Sequence, residues 1–595
     1  LFATPTLGAL AASMRGHQEV RVPANEIVPG SERITPEQLP LIQLTQADID
    51  RVGAAVPGGL ANVQDIYALL SLQEGMLFHH QLAPAQDPYV LVMRFVFASR
   101  ELLDQYLAAT QELIDRHDAL RTAFVWEGMT KPAQVVLRTA QLQITELAGL
   151  DGFEPCGFDL TQAPLLRCLI APEPGTERWA LVQELHHLIT DHESLEQMRS
   201  EIDQILAGRG AELPAPYPFR NVVAAATLGT RSAEHQGYFG KLLGDIDEPS
   251  TPFGLLEAHL DGTGIVEASQ ELAPSTVSRL RLVARQLGVS VASLCHVAWG
   301  HIVAQTSGRT QAVFGTMLFG RMQVSSGNAL GLYMNTLPIR LDLDDTSVED
   351  AARRAHAVLA ELMEHEHAPL ALAQRCSGVA PPAPLFTSVL NYRHNGADSS
   401  GDGAAASSLA GIELLGVEER TNYPLIISVD DDGTRLSVSV QVVTVVSGDR
   451  VCAMFARAVE QLARLLDEAP HTLVRAIGII PEEEQAQLKA WNATSRDYPQ
   501  DACVHELFEA QVDRTPDAVA VAFERTQLTY RELDERANQL AHHLRGLGLG
   551  PDRLAAIFME RSLEMVVAMV AVHKAGGAYV PLDPNYPAER VRFIQ

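Results

Sequence analysis

Residues 185–194 read LHHLITDHES: adjacent histidines at 186 and 187, an aspartate at 191, and a third histidine, His192, directly behind it. The preceding RWALVQEL alternates as a strand does, so the pair ends a strand and sends one ring to each face. The tight turn that follows returns the Asp191 carboxylate towards those rings. A neutral imidazole in that position can take a proton from an attacking amine near neutral pH, provided its tautomer is fixed. Adjacent histidines alone are weak evidence, because the sequence holds three such pairs, His79–His80, His186–His187 and His542–His543. The third lies in NQLAHHLRGLG, a helix running to a glycine stop, where histidines cap or are merely solvated. Taken alone, His186–His187 reads better as a satisfied core pair than as a catalytic one.

Outward from this stretch, strand and helix patterns alternate. DIYALLSLQEGMLFHH, from Asp65, has helical spacing; YVLVMRFVFA alternates; ELLDQYLAATQELIDRHDAL is helical and leads into strand-like RTAFVWEG. SLEQMRSEIDQILAG is an amphipathic helix closed by glycine. After a Pro-, Gly- and Asp-rich break at 249–270 the order recurs in outline: helices STVSRLRLVARQLG and VASLCHVAWGHIVAQTSG, then strands TQAVFGTMLFGR and GLYMNTLPIRLDL. This predicts two α/β lobes of similar build, 65–248 and 271–480, with a cleft between them. A proline-rich linker is expected over 17–64, another over 481–502, and a further unit from 503 to 595. HNGADSSGDGAAASSLAG is low-complexity and reads as a loop.

The chain has 595 residues, 74 acidic and 45 basic, for a formal charge of −29. That field disfavours nucleic acid and anionic membrane surfaces as partners. The 6 cysteines are scattered without a CxxC pair, so no zinc site or disulfide framework is indicated and a reducing cytoplasm is expected. There is no apolar run of the roughly 18 residues a membrane span needs. LFATPTLGALAASM has neither the basic start nor the apolar centre of a signal peptide.

RHDALRTAF (116–124), HHLITDH (186–192), YPFRNVVAAA (from Tyr217), GLYMNTLPIRL (331–341) and LFTSVLNYRHN (385–395) stand in the order found in condensation domains of nonribosomal peptide synthetases. From about Asp65 to Ile480 the sequence resembles that family. Residues 1–16 resemble the last helix of a peptidyl carrier domain; LTYRELDERANQLA and HKAGGAYVPLDPNYPAERV resemble the start of an adenylation domain. The resemblance implies a chloramphenicol-acetyltransferase-like pseudo-dimer, two lobes forming a V around a central tunnel. Upstream donor and downstream acceptor carrier domains would feed this tunnel with 4'-phosphopantetheine arms borne by the carriers and not by this chain. It implies a bacterial, cytoplasmic setting and a monomeric fragment of a multimodular synthetase. No metal and no ATP use are expected, since no GxxxxGK[ST] loop is present.

By the same resemblance His187 faces the tunnel centre, as a base or as a group that positions the amine, with His186 beside it. Asp191 would be structural, paired with Arg116 or Arg121. The family usually has glycine where His192 stands; the imidazole either reshapes the acceptor passage or points away from it. SLQEGMLFHHQLAPAQDPY resembles a subgroup that both epimerises and condenses, marked by two histidines and a downstream Gly-Asp. His79, His80 and Asp87 match it, while Gln86 replaces the glycine. The implied reaction inverts the donor's terminal residue from L to D and then condenses it. The alternatives are condensation of a pre-formed D-donor only, or a non-catalytic platform for carrier docking.

Overall fold

The strand ahead of the histidine pair is β7 (Trp179–His186), the middle member of a five-stranded sheet. The computed structural model describes residues 20–594 apart from 83, 85–86, 151–152, 154–156, 230–231, 257–263, 321–328 and 395–410. The carrier-like helix expected at 1–16, the low-complexity stretch and Gln86 therefore lie outside the described residues. The chain divides into two units, Leu1–Ala486 and Gln487–Gln595.

In the first unit the five-stranded sheet has the order β12 (Ile412–Glu418), β2 (Val90–Phe97), β7, β6 (Leu166–Pro172), β5 (Gln143–Glu146). β2 and β7 are antiparallel with Val90 opposite His186, which brings the turn before β2 beside the histidine pair. A three-stranded sheet, β1 (Val63–Ala68), β4 (Ala133–Leu137) and β3 (Thr122–Val125), completes this half. The second half is built on six strands in the order β10 (Asn335–Asp342), β9 (Gln311–Leu318), β11 (Ser388–His394), β13 (Leu425–Asp431), β14 (Leu436–Val443), β8 (Ile265–Glu271). β11 runs parallel to both β9 and β13. Helices Pro274–Leu287, Val291–Ser307, Val348–Met363 and Gly448–Glu468 cover this sheet. Val291–Ser307 is buried almost all round, with Trp299 and Phe314 of β9 fully enclosed. Its apolar character is thus that of a core helix. Among the described residues no single helix is long and apolar enough to cross a membrane.

The two halves exchange chain. β12 belongs by sequence to the second half, yet pairs antiparallel with β2 of the first, from Ile412 opposite Phe97 to Glu418 opposite Val92. Ile412, Leu330 and Leu332 are buried in the first half's core. Gly331, at φ +144°, passes so close to Phe219 that a Cβ would lie 2.4 Å from the ring, so glycine is required there.

Four expectations are corrected. Asp65–Ala68, read as the start of a helix, is strand β1, and the helix begins at Ser71. DIYALL is a short apolar run whose spacing fits either element, and pairing with β4 decides it. The stretch 17–64 is no linker over its described part. Ile27, Ile34, Leu39, Ile42, Leu44 and helix Gln46–Ala55 pack into the first half's core. The inter-lobe linker at 249–270 likewise holds most of edge strand β8, and 481–502 holds helix Glu482–Asn492.

The second unit has an antiparallel ladder of β15 (Val519–Phe523) with β16 (Thr526–Thr529) and a parallel one of β17 (Leu554–Phe558) with β18 (Ala578–Leu582). Helices Tyr530–Gly546 and Leu563–Lys574 pack around two small cores. His542 and His543 are exposed on the former, as a solvated pair.

Candidate active site

His186 and His187 do point to opposite sides. His186 turns inward: its Nδ1 accepts the Leu188 N–H at 3.0 Å, which leaves the proton on Nε2. Nε2 donates to Asp87 Oδ2 at 3.0 Å, and His80 Nδ1 donates to the same oxygen at 2.7 Å. Asp87 Oδ1 accepts the Tyr89 N–H at 3.0 Å. All three side chains are buried. Burial pushes the Asp87 carboxyl up, but the donors from His186, His80 and Tyr89 outweigh it and hold the group well below the usual carboxylate range. Burial pushes His186 down despite Asp87, in keeping with its neutral tautomer. The ligating atoms of His80, Asp87 and His186 lie within 4.8 Å of one another. The two imidazole protons already fill the directions a cation would need, so the cluster is satisfied as a hydrogen-bonded triad. His80 and Asp87, matched in sequence to the motif of the epimerising subgroup, lie behind the cavity and brace the strand end that bears His187.

His187 turns the other way, into a cavity of about 800 Å³ between the two halves. His79, Tyr89 and His192 share its wall with Arg393, Glu419 and Asn422 of the second half. The His187 N–H donates to the Tyr89 carbonyl at 2.9 Å, and ring atom Nδ1 lies 3.4 Å from the Thr190 carbonyl. Nε2 is 3.2 Å from Glu419 Oε1. That contact becomes a charge pair when the ring is protonated and is not an aligned hydrogen bond, since Nε2 finds no acceptor in line. Burial disfavours the charged ring, but Glu419, the Thr190 carbonyl and Asp191 outweigh it and raise the His187 pKa above its ordinary value. Burial and Arg393 push His192 down. His192 therefore faces the cavity as a neutral ring and does not point away.

Asp191 is structural, through different partners from those expected. It caps helix His192–Leu206, Oδ1 accepting the Ser194 N–H at 2.9 Å, while Oδ2 accepts the Tyr333 N–H at 3.1 Å. Ser194 Oγ lies 2.8 Å from both Asp191 Oδ1 and the Gly331 carbonyl, and accepts the Gly331 N–H at 3.2 Å. The turn after the histidines is thereby fastened to the GLYMN segment of the second half. Arg116 pairs with Glu201 at 3.2 Å, together with His117 at 2.9 Å. Arg121 is spent on the Ile114 and Leu137 carbonyls and on Gln64. Among the described contacts, neither arginine is on Asp191. The D-x-x-S spacing of Asp191 and Ser194 is the signal that points to the cap. Glu419 carries no comparable signal.

The condensation-domain family profile matches residues 63–489. The chain belongs to the condensation-domain family. An AMP-binding enzyme profile follows at 508–595. The condensation domain and its flanks are 50% identical to malpinin synthetase of Mortierella alpina over 610 residues, covering 100% of this chain and 8% of that protein. Malpibaldin synthetase of the same organism is 46% identical over 612 residues, covering 100% of this chain and 11% of that protein. The chain thus spans about a tenth of the length of such relatives. A four-domain nonribosomal peptide synthetase bound to AMP and glycine superposes with a TM-score of 0.70 at 19% identity, covering 89% of this chain and 42% of that one. The condensation domain of the monacolin K polyketide synthase gives 0.54 at 19% identity, covering 69% and 100%. The two-lobed, chloramphenicol-acetyltransferase-like fold expected from sequence is the fold observed.

Proposed function

We propose that this condensation domain forms a peptide bond between two carrier-bound residues, inverting the donor's terminal residue from L to D beforehand. The observation that carries this is His187: its ring lines a cavity walled by both halves, with Nε2 beside Glu419, while the strand end that bears it is braced by the His80–Asp87–His186 triad. Nonribosomal peptide synthesis with upstream and downstream carrier domains as partners, and an adjoining adenylation domain, is the context we infer from the relatives.

The cavity suits the amide-rich arm of 4'-phosphopantetheine. Asn391 lines the cavity and its buried Oδ1 has no hydrogen-bond partner among the described residues, which leaves an acceptor unspent for an amide N–H. Such an arm supplies the thioester; the chain's own residues position it and move protons. His187 Nε2 takes a proton from the acceptor amine, whose lone pair then attacks the thioester carbon. Holding both reactants in one cavity supplies much of the acceleration. For inversion the α-proton, acidified by the thioester, goes to His187 Nε2, and a proton is returned to the opposite face of the carbanion from solvent, relayed by His79, the histidine of the first pair that lines the cavity.

Condensation of a pre-formed D-donor alone is favoured by one fact: His80 and Asp87 lie behind the cavity and not in it. The test uses excised carriers, the donor loaded with a peptide ending in an L-residue and the acceptor with an aminoacyl group. A condensed product with D configuration at that carbon, or deuterium taken up there from solvent, supports both activities. His187→Ala abolishes both and His79→Ala impairs inversion selectively. Condensation of the D-donor only, without exchange, removes the inversion step. No amide from either donor leaves the docking platform.

A further inference from the structure

Glu419 arrives at the cavity directly after β12, the strand that the second half lends to the first half's sheet. Its side chain is 47% exposed and lines the cavity, with Oε1 3.2 Å from His187 Nε2. Among the described residues His187 is its only ion-pair partner. The nearby Arg393 guanidinium is committed to Asp430 through two bonds of 2.7 and 2.8 Å. The charged and titratable groups around the pair include Arg393, Asp430, Arg420 and Glu267 from the second half and His79, Asp191, His192 and Glu196 from the first. A carboxylate half-open to a substrate cavity, beside the group that must take a proton, is placed to receive a cation.

We propose that Glu419 binds the α-ammonium of the acceptor residue and holds it against His187. The inference rests on His187 acting as proton acceptor. The acceptor nitrogen arrives as RNH3+, paired with the Glu419 carboxylate. One proton passes to His187 Nε2, and the single positive charge moves from ammonium to imidazolium while Glu419 neutralises it on either side. The freed lone pair forms the C–N bond to the donor carbonyl and the C–S bond breaks. The second proton leaves the nitrogen for the thiolate sulfur, and His187 returns its proton to solvent. A neutral acceptor has no use for the carboxylate, so the site selects amines over alcohols.

The test compares the intact chain with Glu419→Gln and Glu419→Asp, using donor carrier plus an acceptor carrier loaded with either an aminoacyl group or its α-hydroxyacyl analogue. Glu419→Gln is expected to raise the apparent KM for the aminoacyl carrier roughly three- to fivefold, the loss typical of one partly exposed charge pair. The hydroxyacyl carrier should lose nothing, and Glu419→Asp should recover part of the amine effect. The His187 pKa, followed by NMR of labelled histidine, should fall in Glu419→Gln, carrying the acid limb of the rate profile to lower pH. Equal losses for both acceptors, or none for either, overturn the assignment. Full activity of His187→Ala removes the reading beneath it instead, and the two failures are told apart by that variant.

Discussion

At the scale of single residues, the site is organised by what Asp87 accepts. Its carboxylate binds two imidazole protons and a backbone N–H in a dry setting, so replacing the charge leaves donors poorly matched. Asp87→Asn is expected to cost about 3 kcal/mol at pH 7, read by urea denaturation. Because the folded carboxyl is depressed, its contribution is present above the unfolded value of about 4 and fades as pH falls below it towards the folded value. The gap between wild type and variant should therefore shrink at pH 3. The histidine pair, its strand and the importance of Asp191 are legible in the sequence, because strand alternation and turn length are local. The triad is half legible: His79, His80 and Asp87 stand out together in the sequence, but only the pairing of β2 with β7 decides that His80 and Asp87 lie beneath His186. Glu419 is illegible, since its meeting with His187 depends on a strand crossing between halves.

At the scale of elements, β12 is the one to test. Ile412 is buried in the first half's core although the strand belongs to the second. Truncating it leaves a cavity costing about 2–4 kcal/mol. Ile412→Ala should lower stability by that amount and, at a temperature where the protein stays folded, lower condensation as well, because the strand sets where Glu419 emerges. A matched core truncation in the second half, Val459→Ala, should cost stability without the kinetic loss. Sequence patterning reads the long helices well, since periodicity over many residues is hard to mistake. It fails on β1 and on the stretch from 17 to 64. A short apolar run fits two periods, and irregular chain that buries isolated side chains has no period at all.

At the scale of the whole molecule, the two units differ in what holds them. The first has extensive cores on its three sheets, whereas the second encloses a handful of residues and leaves Val504 and Leu554 exposed. Small cores give little net stability. Calorimetry should show two transitions, the lower one belonging to Gln487–Gln595. Ending the chain at Ala486 should remove it and leave condensation between carriers unchanged. A single transition lost on truncation would show that the units depend on one another.

The crossing of β12 also bears on recombination. Exchanging halves between two such proteins at the obvious break, near residue 260, would take Glu419 from one parent and His187 from the other, and would seat a foreign strand along β2. A chimera designed by domain boundaries would thus split a working charge pair that chain order conceals. Grafts that carry Ile412–Glu419 together with the β2 and β7 they pair against keep the seam intact.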